Sequence, residues 1–210
     1  MLWALLLGLL LAGLLVLAVW ALAGQSSPSD PQPPCHLYPT LRGVENLWSQ
    51  SSHLTRLLMV QTEANHSGAE TTRRQLDDMK AQLGKALAEV SDEYAGEAYT
   101  AWLKSRLDRQ RAIFAHLKAR TSIHSEVEML KSDNTHIGTL LRELSPQQAQ
   151  LVGYIVVGLD ALDKAFVLQA TALVHREHEE EAKEFRSVCK AASTVALQTA
   201  RYMEGLAKQH

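Results

Sequence analysis

Residues 40–210 contain a single proline, Pro146, whereas the other five prolines lie between Pro28 and Pro39. Proline lacks a backbone donor and clashes inside a helix, so a long stretch almost free of it can form long helices. Apolar residues in this stretch recur at spacings of three and four, the period of an amphipathic helix and not of a strand. The sequence therefore predicts an all-α fold for residues 40–210.

Turn residues divide the first half of residues 40–210 into separate helices. The first apolar stripe covers residues 40–64 and ends at Ser67-Gly68. A second stripe follows, and we expect a kink or an interruption at Ser91-Asp92 and at Gly96. Small polar residues and glycine at such points favour turns over helix.

Two capping signals mark helix starts in the second half. Ser125 with Glu128 has the spacing of a capping box, and Pro146 after Ser145 is suited to the first turn of a helix. Only glycines could interrupt the chain after Pro146, so the last helical run is predicted to continue to the end. These segments predict an antiparallel bundle of four to six helices with short connections.

Residues 151–159 (LVGYIVVGL) are almost entirely apolar. They are too few to cross a membrane as a helix. A lone strand without a partner is implausible, so we interpret them as the most buried helical segment of the bundle.

The first charged residue of the chain is Asp30, and residues 2–23 are mostly apolar. A helix over residues 2–23 would cover about 33 Å, enough to cross the hydrocarbon core. Trp3 and Trp20 lie near its ends, where indole rings favour the membrane interfaces. We expect residues 1–24 to be a membrane anchor.

A cleaved signal peptide is the alternative for this segment, because Ala21-Leu22-Ala23 fits the small-x-small pattern of a cleavage site. The length of the apolar run and the absence of a preceding Lys or Arg favour an uncleaved anchor. Small residues also recur every four positions on one face, which lets two membrane helices pack closely; they are Ala4, Gly8 and Ala12.

Residues 25–39 are rich in proline and serine and predict an extended linker between the anchor and the bundle domain, residues 40–210. The two cysteines, Cys35 and Cys189, form an even pair as in compartments where disulfides persist. Two unrelated buried thiols are the alternative. Asn65 begins a glycosylation sequon. We therefore expect the bundle domain to lie outside the cytosol, in a periplasmic, extracellular or lumenal compartment. If residues 1–24 are cleaved, we expect the protein to be secreted.

The charges are nearly balanced, with 21 Lys+Arg and 23 Asp+Glu, which argues against a nucleic-acid partner. Two stretches are locally biased, and we expect them to be neighbours that neutralise each other. The alternative is that one of them binds a partner or an anionic ligand. The basic stretch is Lys104, Arg106, Arg109, Arg111, Lys118 and Arg120; the acidic stretch is Glu177, Glu179, Glu180, Glu181 and Glu184.

The nine histidines raise the question of a metal site. His175 and Glu179 are one helical turn apart with His178 beside them, a set that could bind zinc, nickel or copper. His66 or His136 could add a ligand. A di-iron site is disfavoured because Glu63 with His66 is the single Glu-x-x-His pair. The alternative is that residues 175–184 form a solvated charged face.

The sequence contains no phosphate-binding glycine loop, nucleophile elbow or Cys-x-x-Cys motif. It therefore predicts a non-catalytic, membrane-anchored binding or scaffold module without a cofactor. The expected partners are the lipid bilayer, through the N-terminal helix, and a protein partner or a second copy. A metal-binding or metal-sensing bundle is the alternative function, and a small-ligand pocket among Trp48, Trp102 and Tyr154 is a third.

Overall fold

The computed structural model describes residues 38–209, with side chains from Gly43 onward. The predicted anchor or signal peptide, its interface residues Trp3, Trp20, Ala4, Gly8 and Ala12, most of the linker, and Cys35 lie outside the described residues. Within residues 38–209 the fold is all-α, as predicted. Its six helices are α1 Tyr38–Glu63, α2 Ala69–Val90, α3 Glu93–Ala119, α4 His124–Leu144, α5 Ala149–His175 and α6 His178–Ala207.

Each helix packs against the next one in sequence, and α1 packs against α6 to close the bundle. Consecutive helices run antiparallel. Asn134 of α4 meets Asp163 of α5, while Gly138 meets Val156, so the paired residue numbers run in opposite directions. In residues 38–209 no helix has the length and apolar character needed to cross a membrane.

Two of the predicted helix breaks are confirmed. The chain turns at residues 64–68, between α1 and α2, and again at Ser91-Asp92, between α2 and α3. An interruption at Gly96 is wrong, because this glycine lies inside α3 in close contact with α2. The Asp92 carboxylate accepts a hydrogen bond from Ala95 N at 2.7 Å and caps the start of α3. Such a cap satisfies one of the backbone donors that a helix start leaves free.

The capping box predicted at Ser125 and Glu128 is wrong. Helix α4 begins at His124 with Ile123 at the cap position and without a side-chain cap. The Glu128 carboxylate instead accepts a hydrogen bond from Lys131 at 2.6 Å. The lysine on the next turn of the exposed surface competes for the carboxylate that the box requires.

The prediction of one uninterrupted run after Pro146 is also wrong. Helix α5 ends at Arg176, which adopts the left-handed conformation with φ of 60°, and α6 starts two residues later. This conformation costs a non-glycine residue about 1–2 kcal/mol. The packing of α5 on α6, the most extensive of any helix pair, offsets that cost.

Residues 151–159 form the start of α5, and only one face of them is buried. Val152, Ile155 and Leu159 lie in the core. Tyr154 and Val157 are 54% and 67% exposed, and residues 195–203 of α6 are more buried, so the prediction that residues 151–159 are the most buried segment is wrong. A helix at the periphery of a bundle buries only the stripe that faces its neighbours.

Candidate binding groove between α1, α2 and α3

The residues predicted to bind metal lie at the turn between α5 and α6. His175 ends α5, and His178 and Glu179 begin α6; all three are exposed. Across residues 38–209, no group of three His, Cys, Asp or Glu side chains is arranged to hold a metal ion. His66 and His136 are also exposed and lie on other parts of the surface. The metal site therefore stays a prediction without geometric support.

The predicted glycosylation, disulfide and aromatic positions lie in different environments. Asn65 is exposed in the turn after α1, with φ of 50°, so its side chain is accessible. Cys189 lies half-buried on α6, and burial raises the pKa of its thiol. Glycosylation and the disulfide with Cys35 stay predictions. The aromatic pocket is wrong, because Trp48 and Trp102 are buried in the core while Tyr154 faces outward.

The predicted pairing of the basic and acidic stretches is wrong. The ion pairs of the basic stretch go to other acids: Arg106 to Asp163, Arg109 to Asp133, Arg111 to Asp108 and Lys118 to Glu63. These four cations lie on two faces of α3: Arg106 and Arg109 face α5 and α4, whereas Arg111 and Lys118 lie on the face that borders the groove.

The acidic stretch is mostly exposed, as a solvated face would be, but Glu181 is buried. Arg56 of α1 donates to both Glu181 carboxylate oxygens, from Nε at 2.8 Å and from Nη2 at 2.9 Å. Gln169 Nε2 donates to the same carboxylate at 2.9 Å. These hydrogen bonds, led by those from Arg56, lower the pKa of Glu181. The arginine also lies 4.8 Å from the Phe185 ring centre, a cation–π contact.

A second polar cluster lies in the core between α3, α4 and α5. Arg106 Nη1 donates to Asp163 Oδ2 at 2.8 Å and to Asn134 Oδ1 at 3.2 Å. Asn134 Nδ2 in turn donates to Asp163 Oδ2 at 2.8 Å and to Asp160 Oδ1 at 2.9 Å. Arg106 and Asn134 are nearly inaccessible to solvent. A buried charge persists only with such partners.

Lys80 of α2 is a third buried polar group. Its Nζ makes no hydrogen bond within the described residues and lies 3.6 Å from Asp77 Oδ1. Burial lowers the pKa of this amine to about 8, although the charges of Asp77 and Asp108 act in the opposite direction.

A groove of about 970 Å³ opens between α1 and α3, with the start of α2 along its side. It lies where two small parts of the core meet. Leu58, Leu76 and Leu107 form one cluster, and Met59, Phe114 and Phe166 belong to the other. Apart from Leu76, all of these side chains line the groove, which therefore reaches inward as far as α5.

Small side chains on α3 leave this space open. Ala112, Ala115 and Ala119 line the groove at spacings of three and four residues, so they lie on one face of the helix. From Leu107 to Ala119 the groove follows α3 for about 18 Å at the helical rise. The alanine spacing is visible in the sequence and could have indicated a shallow helix face, although not what lies opposite it.

The rim of the groove carries charged side chains. Arg73 is held tightly, with hydrogen bonds of 2.8–2.9 Å to Glu70 and Asp77. Arg73 and Arg74 lower the pKa of Glu70 to about 2. Lys118 lies 3.2 Å from Glu63 Oε2. Arg111 is 52% exposed and its single carboxylate contact, to Asp108 Oδ1, is long at 3.4 Å.

The groove thus joins an apolar interior to a polar rim, which is the usual composition of a site for an organic ligand. Two of the buried charged groups have close partners: Arg106 pairs with Asp163, and Glu181 pairs with the partly exposed Arg56. Comparison of the chain with protein-family models, with curated proteins and with solved structures gave no match.

Proposed function

We propose that the protein is a non-catalytic binding module, held at a membrane by its N-terminal apolar segment with the bundle outside the cytosol, and that it binds an elongated apolar ligand between α1 and α3. The groove of about 970 Å³ carries this proposal. Its volume lies at the upper end of the usual range for ligand sites, and it is lined mainly by apolar side chains.

The depth of the groove favours a hydrocarbon chain over the surface of a protein partner. Its inner wall includes Phe166 of α5, which is 2% exposed. A flexible hydrocarbon chain can pass between α1 and α3 and reach the Phe166 ring. The surface of a folded protein partner would contact only the rim of the groove. Each methylene that leaves water would contribute about 0.8 kcal/mol.

Photolabelling of the full chain in lipid nanodiscs tests this proposal. The probe is a long-chain alcohol with a diazirine near the end of the chain, and mass spectrometry locates the labelled residues. We expect labels within residues 55–62 and 107–119. Ala112→Trp should abolish them because the indole obstructs the middle of the groove, whereas Ala81→Trp, on an exposed position of α2, should leave them unchanged.

Ala115→Trp repeats the block from a more exposed position and guards against misfolding of the first variant. Circular dichroism and thermal melting establish that each variant is folded. Labels spread over the outer helix surfaces, or groove labels that survive both tryptophans in folded protein, would overturn the proposal.

A further inference from the structure

We infer that the ligand of this groove is an amphiphile with an anionic head, a carboxylate or a phosphate. Arg111 binds the head, and the hydrocarbon tail of the ligand lies against α3. This inference rests on the proposed function, since it names the ligand class of the same groove. The observation behind it is that Arg73 and Lys118 have close carboxylate partners, whereas Arg111 does not.

Arg73 is already engaged by two carboxylates, which take three of its five N–H donors. Two of its nitrogens bond Glu70 and a third bonds Asp77, all at 2.8–2.9 Å. These are the distances of strong charge-assisted hydrogen bonds. The charge of this guanidinium is therefore already neutralised, and an anionic ligand that approached its remaining donors would meet Glu70 and Asp77.

Lys118, which also borders the groove, is engaged as well. Its ammonium lies 3.2 Å from Glu63 Oε2, on α1, and it is about one-third exposed. This pair joins the ends of α1 and α3, so a head group there would compete with a contact between helices.

Arg111, unlike Arg73 and Lys118, has no close carboxylate partner. Its one contact is Nη1 to Asp108 Oδ1 at 3.4 Å, and both side chains are more than half exposed. That distance is well beyond a charge-assisted hydrogen bond, so the pair contributes little. A guanidinium has five donors in a planar fork that matches carboxylate and phosphate oxygens, and most of those of Arg111 remain for a ligand.

Two carboxylates also line the groove, and their effects differ. Glu70 is neutralised by Arg73 and Arg74 together. Asp108 faces Arg111 without a tight bond, so it is the charge that an anionic head must compete with. Removing Asp108 should therefore strengthen binding, and removing Arg111 should weaken it.

The test uses the full chain in nanodiscs of zwitterionic lipid, at alkaline pH so that carboxylates are ionised. Palmitate, hexadecyl phosphate and palmityl alcohol each compete with the alcohol photoprobe for the groove. The measured quantity is the competitor concentration that halves groove labelling. Comparison of variants under one lipid condition cancels the partitioning of each competitor into the nanodisc.

For Arg111→Gln we expect this concentration to rise about three- to tenfold for the anionic competitors and to stay unchanged for palmityl alcohol. Asp108→Asn should lower it for the anions. Arg186→Gln, an exposed arginine of α6 outside the groove, is the matched control and should change nothing. An effect on palmitate alone or on the phosphate alone identifies the head, and either result supports the inference.

Equal effects of Arg111→Gln on the alcohol and the anions, or no effect on any of them, would overturn the anionic head while leaving the groove as a binding site. Weaker competition by the anions in Asp108→Asn would contradict the inference as well. Loss of groove labelling in the wild-type chain would instead contradict the proposed function.

Discussion

Arg106 of α3 and Asp163 of α5 form an ion pair inside the helical bundle, with Arg106 Nη1 donating to Asp163 Oδ2 at 2.8 Å. The second nitrogen, Nη2, lies 2.5 Å from Oδ1 without the alignment of a hydrogen bond. Asn134 of α4 bonds both residues, so three helices meet at one polar cluster. The cluster allows few alternative pairings of these helices, because any shift would separate buried charges.

Asp163→Asn should lower the free energy of unfolding by about 3–5 kcal/mol, since it leaves the Arg106 charge buried without its partner. Urea unfolding followed by circular dichroism measures the change. Asp108→Asn, in an exposed pair, is the matched control and should cost less than about 1 kcal/mol. A similar small cost for both variants would contradict the assignment of Asp163 as the essential counter-ion.

Lys80→Met should stabilise the protein at neutral pH by about 1–3 kcal/mol, because a protonated amine without a hydrogen bond is removed from the interior. The pKa of Lys80 is about 8 in the folded chain, and that of a free lysine is about 10.4. Between these values the unfolded chain binds more protons, so wild-type stability should rise with pH across this window.

Unfolding free energies of Lys80→Met measured across the same pH window should lack this rise. Lys85→Met, at an exposed position one turn further along α2, should keep the wild-type slope. An unchanged slope in Lys80→Met would show that another group causes it.

Glu181→Gln should destabilise the protein by about 1–3 kcal/mol at neutral pH, because the charge-assisted bonds from Arg56 are lost. The pKa of Glu181 is lowered in the folded state, so its contribution is present above the unfolded pKa of about 4.3 and is lost as pH falls through the folded value. The variant should therefore lose less stability than the wild type on acidification below about pH 4.3.

Thermal melting at a series of acidic pH values tests the Glu181 prediction. Glu180→Gln is the matched control, since Glu180 makes an exposed pair with Lys183. The two variants should differ clearly at neutral pH and converge in acid. Equal behaviour of the two glutamates throughout would refute the buried role of Glu181.

Gly84 and Gly96 bring α2 and α3 into backbone contact. A Cβ atom on Gly84 would lie 2.6 Å from Gly96 O, so Gly84→Ala should destabilise the bundle by about 1–3 kcal/mol. Gly153→Ala, where a Cβ meets nothing within 4 Å, should instead stabilise it by about 0.5–1 kcal/mol through helix propensity. Chemical denaturation of both variants should show opposite signs, and a stabilising Gly84→Ala would contradict the close contact.

The helical fold and its first turns follow from local chemistry. Ser67-Gly68 and Ser91-Asp92 end helices because turn propensity and capping act within a few residues, and the structure has its turns there. The break at Arg176 has no such signal. Arg176 adopts a strained left-handed conformation because α5 and α6 gain more by packing together than the turn costs.

The direction of each charged side chain around a helix can be predicted from its spacing, but its partner cannot. Arg106 and Arg111 belong to one basic stretch, yet one meets Asp163 in the core and the other borders an open groove. Which acid faces which arginine depends on where the neighbouring helices lie. Burial then sets how strong the interaction is, through desolvation.

The sequence by itself determined that the body of the chain is built from helices, and it contains the alanine spacing that gives α3 a shallow face. These properties depend on backbone preference and on residue size, which are local. Only the tertiary structure decided that α1 and α3 stand apart along that face and leave a groove against Phe166. A cavity is the space that several distant segments fail to fill together, so it depends on how all of them pack.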